Sequence, residues 1–156
     1  MQGDVVSVER VIAAPAHRIF ELLADAAKHA LIDGSGTVQQ VVGDGDSKLR
    51  LGSTFGMAMK AGVPYRMQST VVEFEPDRRI AWQTRVSGPV GRVVGGRIWR
   101  YVLEPIGDDR TRVIESWDLS NDKQRMVLRL GPLPEKTRSN MAATLERIAE
   151  LVEIDG

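Results

Sequence analysis

One carboxylate lies within an otherwise apolar alternating segment, where Val113 and Trp117 share the register of Glu115. Residues two apart on a strand face the same side, so an inward-facing set would carry this carboxylate into the interior. A buried carboxylate must find a donor or take up a proton. Glu115 is therefore a candidate for orienting a ligand hydroxyl or for general acid–base catalysis. The alternatives are an outward orientation or an ion pair with Arg97 or Arg100; Arg97 is the first partner to test.

A second candidate pair, His29 and Asp33, flanks a predicted short helix and the loop after it. Histidine is the usual proton shuttle near neutral pH, so His29 is the second candidate catalytic residue. The alternative is structural, because Asp33 before Gly34 is also a typical turn residue. His17 is predicted to lie on the surface.

Other chemistries are not favoured. The chain has no cysteine and two histidines, with no spacing typical of a metal site, so we expect no metal. Neither Ser69 nor Ser116 lies in a Gly-x-Ser-x-Gly motif, and the glycines of 87–96 form no phosphate loop. We expect no cofactor. Lys+Arg and Asp+Glu number 21 each, which argues against a nucleic-acid partner.

Methionines and aromatic residues recur at period two along several predicted strands. Such side chains form flexible, apolar walls, and they are candidates for lining a ligand pocket, although each is also explained by a plain core. Together with Glu115, the predicted ligand-binding set is Phe55, Met57, Met59, Tyr65, Met67, Trp82, Trp99, Tyr101, Trp117, Met141 and Leu145.

Periodicity predicts the elements that hold these residues. A first strand over 4–13 is followed by helices over about 15–24 and 25–30, then by six strands, with a bulge near 70. The last element is a helix over 134–153, in which Met141, Leu145, Ile148 and Val152 share one face. Short turns between consecutive strands favour an antiparallel sheet. The fold class is α+β, with a curved sheet of about seven strands wrapped around the long C-terminal helix.

Several local motifs carry a resemblance to a known family. They are the strand running into Ala14-Pro15, the segment Ile19–Asp25, the strand end Val72–Pro76, Arg79–Trp82, Trp99–Pro105 and the closing helix. In this order the chain resembles the polyketide cyclase/dehydrase group of the START-like (helix-grip, Bet v 1-like, SRPBCC) superfamily. The resemblance implies a single domain over 1–156 and a cavity for a hydrophobic ligand. It transfers no catalytic residue, because no single catalytic motif unites the family.

Three functions remain open at this point. The first is binding, transport or sensing of a small hydrophobic ligand, such as a lipid or polyketide, between the sheet and the helix. The second is a cyclase or dehydratase that uses a cavity carboxylate on a polyketide-like substrate. The third is a protein-interaction module with a collapsed cavity. Neither a signal peptide nor a membrane span is evident, so we expect a cytoplasmic protein that does not insert into membranes, either a monomer or a homodimer.

Overall fold

The computed structural model describes residues 3–34, 38–42, 48–61 and 63–153, and at 38–42, 57–61 and 63–65 it describes the backbone alone. Within these residues, seven strands form one antiparallel sheet in the spatial order β1-β7-β6-β5-β4-β3-β2. The strands are β1 (Val5–Ile12), β2 (Val38–Val42), β3 (Thr54–Ala61), β4 (Val63–Glu75), β5 (Arg79–Val86), β6 (Gly95–Pro105) and β7 (Thr111–Asp118). Each of β2 to β7 pairs with its neighbour in sequence, and β1 returns to pair with β7. The predicted α+β sheet of about seven strands is confirmed.

Four α-helices occur in the described residues: α1 (Ala16–Leu23), α2 (His29–Ile32), α3 (Arg125–Leu128) and α4 (Leu133–Glu153). A 3-10 turn, Ala26–Lys28, leads into α2, and its first free amide is capped because Ala27 N donates to the Asp25 carboxylate at 3.1 Å. Pro15 is the N-cap residue of α1, with φ −70° and ψ 151°, and its ring fixes φ at a value that is compatible with the start of a helix. The predicted short helices after β1 are thus present.

The long helix packs on the sheet through the face predicted from its periodicity. Met141, Leu145, Ile148 and Val152 are all buried. Leu145 and Ile148 belong to a core cluster with side chains of α1 and the sheet, whereas Met141 joins Trp117 in a second cluster. Burial of this apolar stripe is the main contribution holding α4 on the sheet.

The predicted bulge near residue 70 is also confirmed. The register between β4 and β5 shifts between Val71 and Glu73, since Val71 pairs with Trp82 and Glu73 pairs with Ala81. The extra residue changes which side chains face inward: Ser69 and Val71 are buried before the shift, and Val72 is exposed. The bulge therefore moves the inward-facing position of β4 from Val71 to Phe74, whose ring packs against Phe20 at a centroid distance of 5.4 Å.

Candidate functional site

Two cross-strand rows of large side chains meet on the inner face of the sheet. In the first row, Trp82 pairs with Trp99 and Trp99 with Trp117. In the next row, Tyr101 of β6 lies directly opposite Glu115 of β7. Side chains directly opposite each other in an antiparallel pair are close enough to interact. Register therefore places the candidate carboxylate between a phenol and a wall of tryptophans.

Glu115 is buried, with 3% of its surface exposed. Burial is the largest influence on its pKa, because a charged carboxylate loses its hydration there, and the negative charge of Asp33 acts in the same direction. A side-chain hydrogen bond with Tyr101 opposes them, and together they raise the pKa of Glu115 to about 8. At neutral pH this side chain is therefore mostly a neutral carboxylic acid, able to donate as well as accept a hydrogen bond.

The alternative ion pair of Glu115 with Arg97 or Arg100 is not formed among the described residues. Arg97 Nε lies 3.0 Å from the carboxylate of Asp122, a fully buried side chain in the loop after β7. Arg100 points to the opposite face of the sheet, where it binds Glu73 at 2.7 Å and Asp118 at 3.3 Å. Both arginines therefore pair with other carboxylates. The buried carboxyl of Glu115 is neutralised by taking up a proton and not by a counter-ion.

His29 is also buried, with 5% of its surface exposed, and its ring stacks on Trp82 at a centroid distance of 4.7 Å. Its Nε2 lies 2.9 Å from the carbonyl oxygen of Leu23. A carbonyl only accepts, so Nε2 carries the proton and Nδ1 is the acceptor in the neutral ring. Burial lowers the pKa of His29, opposed by the hydrogen bond to Leu23 and the charge of Asp25. His29 therefore stays neutral near pH 7.

His29 and Asp33, which were predicted as a candidate pair, interact electrostatically with different groups. The charge of Asp33 acts on Glu115 and Tyr101, whereas that of Asp25 acts on His29. The loop carrying Asp33 is fixed to α4, since its carbonyl oxygen accepts from Arg147 at 2.7 Å. Asp33 is thus held where its charge reaches the Glu115 carboxyl, a role that sequence spacing does not reveal.

Three buried polar atoms find no hydrogen-bond partner among the described residues: Nδ1 of His29, Oε1 of Glu115 and Nε1 of Trp117. Such atoms are rare in folded proteins, because each costs free energy that a partner would recover. Two of them lie on β7 two residues apart, and Trp117 is only 2% exposed. The apolar inner face thus offers an indole donor beside a carboxyl group. The donor of Trp117 was missed from sequence, where this residue was expected only as an apolar wall.

The other predicted pocket residues are mostly brought together. Phe55, Met67, Trp82, Tyr101, Trp117, Met141 and Leu145 are buried, and Trp99 is half-buried. Trp99 packs against both core clusters, so it lies where the two clusters meet. The predictions for Met57, Met59 and Tyr65 concern side chains outside the described ones. A cleft of about 380 Å³ lies on the opposite face of the sheet, and none of the predicted pocket residues lines it.

Two further observations concern metal sites and membrane-spanning helices. No group of three His, Cys, Asp or Glu side chains among them is arranged to hold a metal ion. None of the helices formed by these residues is long and apolar enough to cross a membrane.

Comparisons with known proteins identify a family and relatives that this chain resembles. Residues 4–153 match the family described as polyketide cyclase/dehydrase and lipid transport. The uncharacterized protein Rv0088 of Mycobacterium tuberculosis is 37% identical over 108 residues, which are 69% of this chain and 44% of that protein. The chain thus spans less than half the length of this relative.

Solved structures share the fold at lower identity. Protein Ms6760 of Mycobacterium smegmatis has a TM-score of 0.71 and 15% identity, with 98% of this chain and 93% of that one covered. Truncated norcoclaurine synthase of Thalictrum flavum has a TM-score of 0.62 and 19% identity, with coverage of 95% and 92%. Identities this low establish a shared fold, and they leave the activity of this chain to be argued from its own residues.

Proposed function

Because the chain belongs to the polyketide cyclase/dehydrase and lipid transport family, we propose that it binds a small hydrophobic ligand between the inner face of the sheet and α4. The ligand carries a hydroxyl or carbonyl group that Glu115, Tyr101 and Trp117 recognise. Most of the affinity comes from burial of apolar surface, and the polar end sets the orientation.

The observation that supports this proposal best concerns two buried atoms on β7, Oε1 of Glu115 and Nε1 of Trp117, which have no hydrogen-bond partner in the part of the chain that the structure describes. An indole N–H can only donate, so its natural partner is an oxygen of the ligand. The neutral Glu115 carboxyl either donates to that oxygen or accepts from a hydroxyl. A ligand that carries oxygen atoms is able to satisfy these groups, which an entirely apolar ligand cannot do.

Half-buried Trp99 indicates where the apolar body of the ligand lies. It sits between Trp82 and Trp117 in the same cross-strand row, and it packs against both core clusters without being enclosed by either. An indole ring in this position provides a flat wall for an aromatic or alicyclic ligand. We therefore place the ligand against Trp99, with its polar group directed toward Glu115.

A displacement assay separates the polar contribution from the apolar one. Bound N-phenyl-1-naphthylamine, a neutral fluorescent probe, is displaced by naphthalene or by 2-naphthol, which differ by one hydroxyl. We expect wild-type protein to prefer 2-naphthol by roughly 2- to 10-fold, the worth of one hydrogen bond. Trp117→Phe and Glu115→Leu should each reduce that preference while the probe still binds.

Ser116→Ala is the matched control, because Ser116 lies between the two residues on β7 and bonds to Ser7 on the other face of the sheet at 2.9 Å. It should leave the preference unchanged. Two results would contradict the proposal: no binding of the neutral probe, or an equal preference for 2-naphthol in all four proteins. Native mass spectrometry of the purified chain then identifies the ligand class.

The second candidate function is enzymatic, and the raised pKa of Glu115 favours it. A carboxyl that holds its proton to about pH 8 is able to protonate a leaving hydroxyl at neutral pH, so that the C–O bond breaks and water departs; the resulting carboxylate then takes the proton from the adjacent carbon as the double bond forms. By its name, norcoclaurine synthase is an enzyme on this fold. Incubation with a linear poly-β-keto thioester, followed by mass spectrometry, tests for loss of water. Product formation that persists in Glu115→Gln excludes this role for Glu115.

Exposed apolar side chains on and after α3 favour the third function, a protein-interaction module. Met126, Val127 and Leu130 are between 66% and 71% exposed. Light scattering of wild-type protein and of a Met126→Ser/Val127→Ser variant tests for self-association through this surface. A concentration-independent monomeric mass for both proteins excludes a homodimer formed there.

A further inference from the structure

A cleft of about 380 Å³ lies on the outer face of the sheet, away from α4. Its floor is formed by Gln68 and Thr70 of β4 and by Gln83 and Arg85 of β5. These residues alternate with Ser69 and Thr84, which are buried on the inner face and bond to each other at 2.8 Å. Since successive side chains of a strand point to opposite faces, the cleft is separate from the proposed hydrophobic site.

The wall of the cleft is a connection that folds back tightly onto β5. Gly91 is buried there, and a Cβ at this position would lie 2.2 Å from the carbonyl oxygen of Val86. Gly95 has φ +110° and approaches the backbone of Arg85 so closely that a Cβ would lie 2.6 Å from its Cα. Both contacts require glycine. The connection is thereby held over β5, and Arg92 is brought to the rim.

The lining of this cleft is cationic. It contains Arg85 and Arg92 and no acidic side chain. Among the described residues, no ion pair reaches either guanidinium, although Arg79, Arg97 and Arg100 are all paired. Arg85 is only half-exposed, so its charge is partly removed from water without a counter-ion. A guanidinium in that position gains most from an anionic partner with two oxygens in one plane.

Neutral hydrogen-bonding groups stand beside the two cations. Gln68 is directly opposite Arg85 across the β4–β5 ladder, and Thr70 is directly opposite Gln83. Gln83 is held in place because its Nε2 donates to the carbonyl oxygen of Gly96 at 3.0 Å. The volume is near the lower end of the range of about 300–1,000 Å³ for small-molecule pockets. We infer that this cleft binds a small metabolite through a phosphate or carboxylate group, held by Arg85 and Arg92.

Chemical-shift titration of the ¹⁵N-labelled full chain tests the inference, with inorganic pyrophosphate and citrate as probes at constant ionic strength. We expect saturable shifts confined to the amides of about 66–70 and 83–92. Arg85→Gln and Arg92→Gln should each weaken binding roughly tenfold, as expected when a charge-assisted hydrogen bond is lost. Arg10→Gln, an exposed arginine on β1, is the matched control and should bind the probes as wild-type protein does.

The experiment distinguishes binding of the anion at a defined site from non-specific attraction to the positive charge of the surface. Shifts that rise linearly without saturation, or an equal loss in Arg10→Gln, would overturn the inference. Arg92 is exposed, so its variant tests the site even if Arg85→Gln loses its fold. A sedimentation arm uses phosphatidylcholine vesicles with and without phosphatidylglycerol. Arg85-dependent binding to the anionic vesicles, without saturable binding of pyrophosphate or citrate, would assign the cleft to a lipid headgroup and reject a free metabolite.

Discussion

The buried carboxyl of Glu115 should make the stability of this protein depend on pH in a direction opposite to most carboxylates. In the unfolded chain its pKa is near 4.5, whereas in the folded protein it is about 8. Between these values the unfolded chain releases this proton and the folded protein retains it. The free energy of unfolding therefore falls as pH rises through this window, and it levels off above about pH 8.

The size of the effect follows from the two pKa values. Their difference corresponds to about 5 kcal/mol, at about 1.4 kcal/mol for each tenfold change. About 4 kcal/mol of this total is lost between about pH 5 and about pH 9, because at pH 5 the carboxyl of the unfolded chain is already mostly ionised. For a chain of 156 residues, the corresponding fall in Tm is roughly 10–15 °C.

Glu115→Gln isolates this contribution, because glutamine has the shape of the neutral acid and does not ionise. Urea unfolding at about pH 5 should give similar free energies of unfolding for both proteins. At about pH 9 we expect the variant to be more stable by about 4 kcal/mol. Glu9→Gln, which removes an exposed carboxylate of β1, is the control for a change in net charge.

The reasoning fails if the pH dependence of wild-type protein and Glu115→Gln is parallel from about pH 5 to about pH 9. That result would mean that the folded protein ionises Glu115 as readily as the unfolded chain does, and so that burial does not govern this carboxyl. A ¹³C titration of the Glu115 side-chain carboxyl provides the direct measurement, with an expected midpoint of about 8.

Three further predictions concern the residues around this carboxyl. Trp117→Ala should destabilise the fold by about 3–5 kcal/mol in urea unfolding, because its ring is buried in its core cluster, and it should also weaken binding of a ligand whose oxygen the indole nitrogen contacts; a clearly smaller loss of stability would mean that the ring lines open space. Gly34→Ala should cost about 1–3 kcal/mol, since a Cβ there would lie 2.2 Å from the carbonyl oxygen of Asn140; a neutral outcome would mean that the loop is not held against α4. Because the folded protein keeps His29 neutral, its contribution to stability is lost as pH drops below the unfolded value of 6.5, which opposes the effect of Glu115; in a Glu115→Gln background stability should therefore fall with pH there, and adding His29→Phe should flatten the profile, whereas an unchanged slope would show that the ring ionises freely in the folded state.

Periodicity in the sequence was sufficient to predict the elements in which the burial of side chains repeats regularly along the chain. The alternating strands, the bulge near residue 70 and the apolar face of α4 were all predicted because a strand or helix repeats its environment every 2 or 3.6 residues. The residues Gly107-Asp108-Asp109, which are typical of a hairpin turn, lie between β6 and β7. Counting outward from Asp108 pairs Tyr101 with Glu115, as observed, so this contact was accessible from sequence.

Contacts made by irregular segments were not accessible in the same way. An ion pair with Arg97 was the first alternative to test for Glu115, because Arg97 shares the register of Tyr101, yet Arg97 binds Asp122 in a loop that has no period. The same holds for His29, whose stacking on Trp82 joins a four-residue helix to a strand more than fifty positions away. Register determines which face a side chain occupies, but the choice among partners on that face depends on loops that fold over it.

The two proposed sites share strand β5 but use alternate residues of it. Trp82 and Thr84 face the core, whereas Gln83 and Arg85 face the outer cleft. Substitutions on one face should therefore leave binding on the other nearly unchanged, provided that the strand itself stays rigid. The backbone hydrogen bonds of β5 to β4 and β6 on both sides favour that rigidity, since a strand paired on two edges has little freedom to shift. A ligand of the inner site that altered anion binding in the cleft would thus indicate movement of the whole β4–β5–β6 unit, because no side chain belongs to both sites.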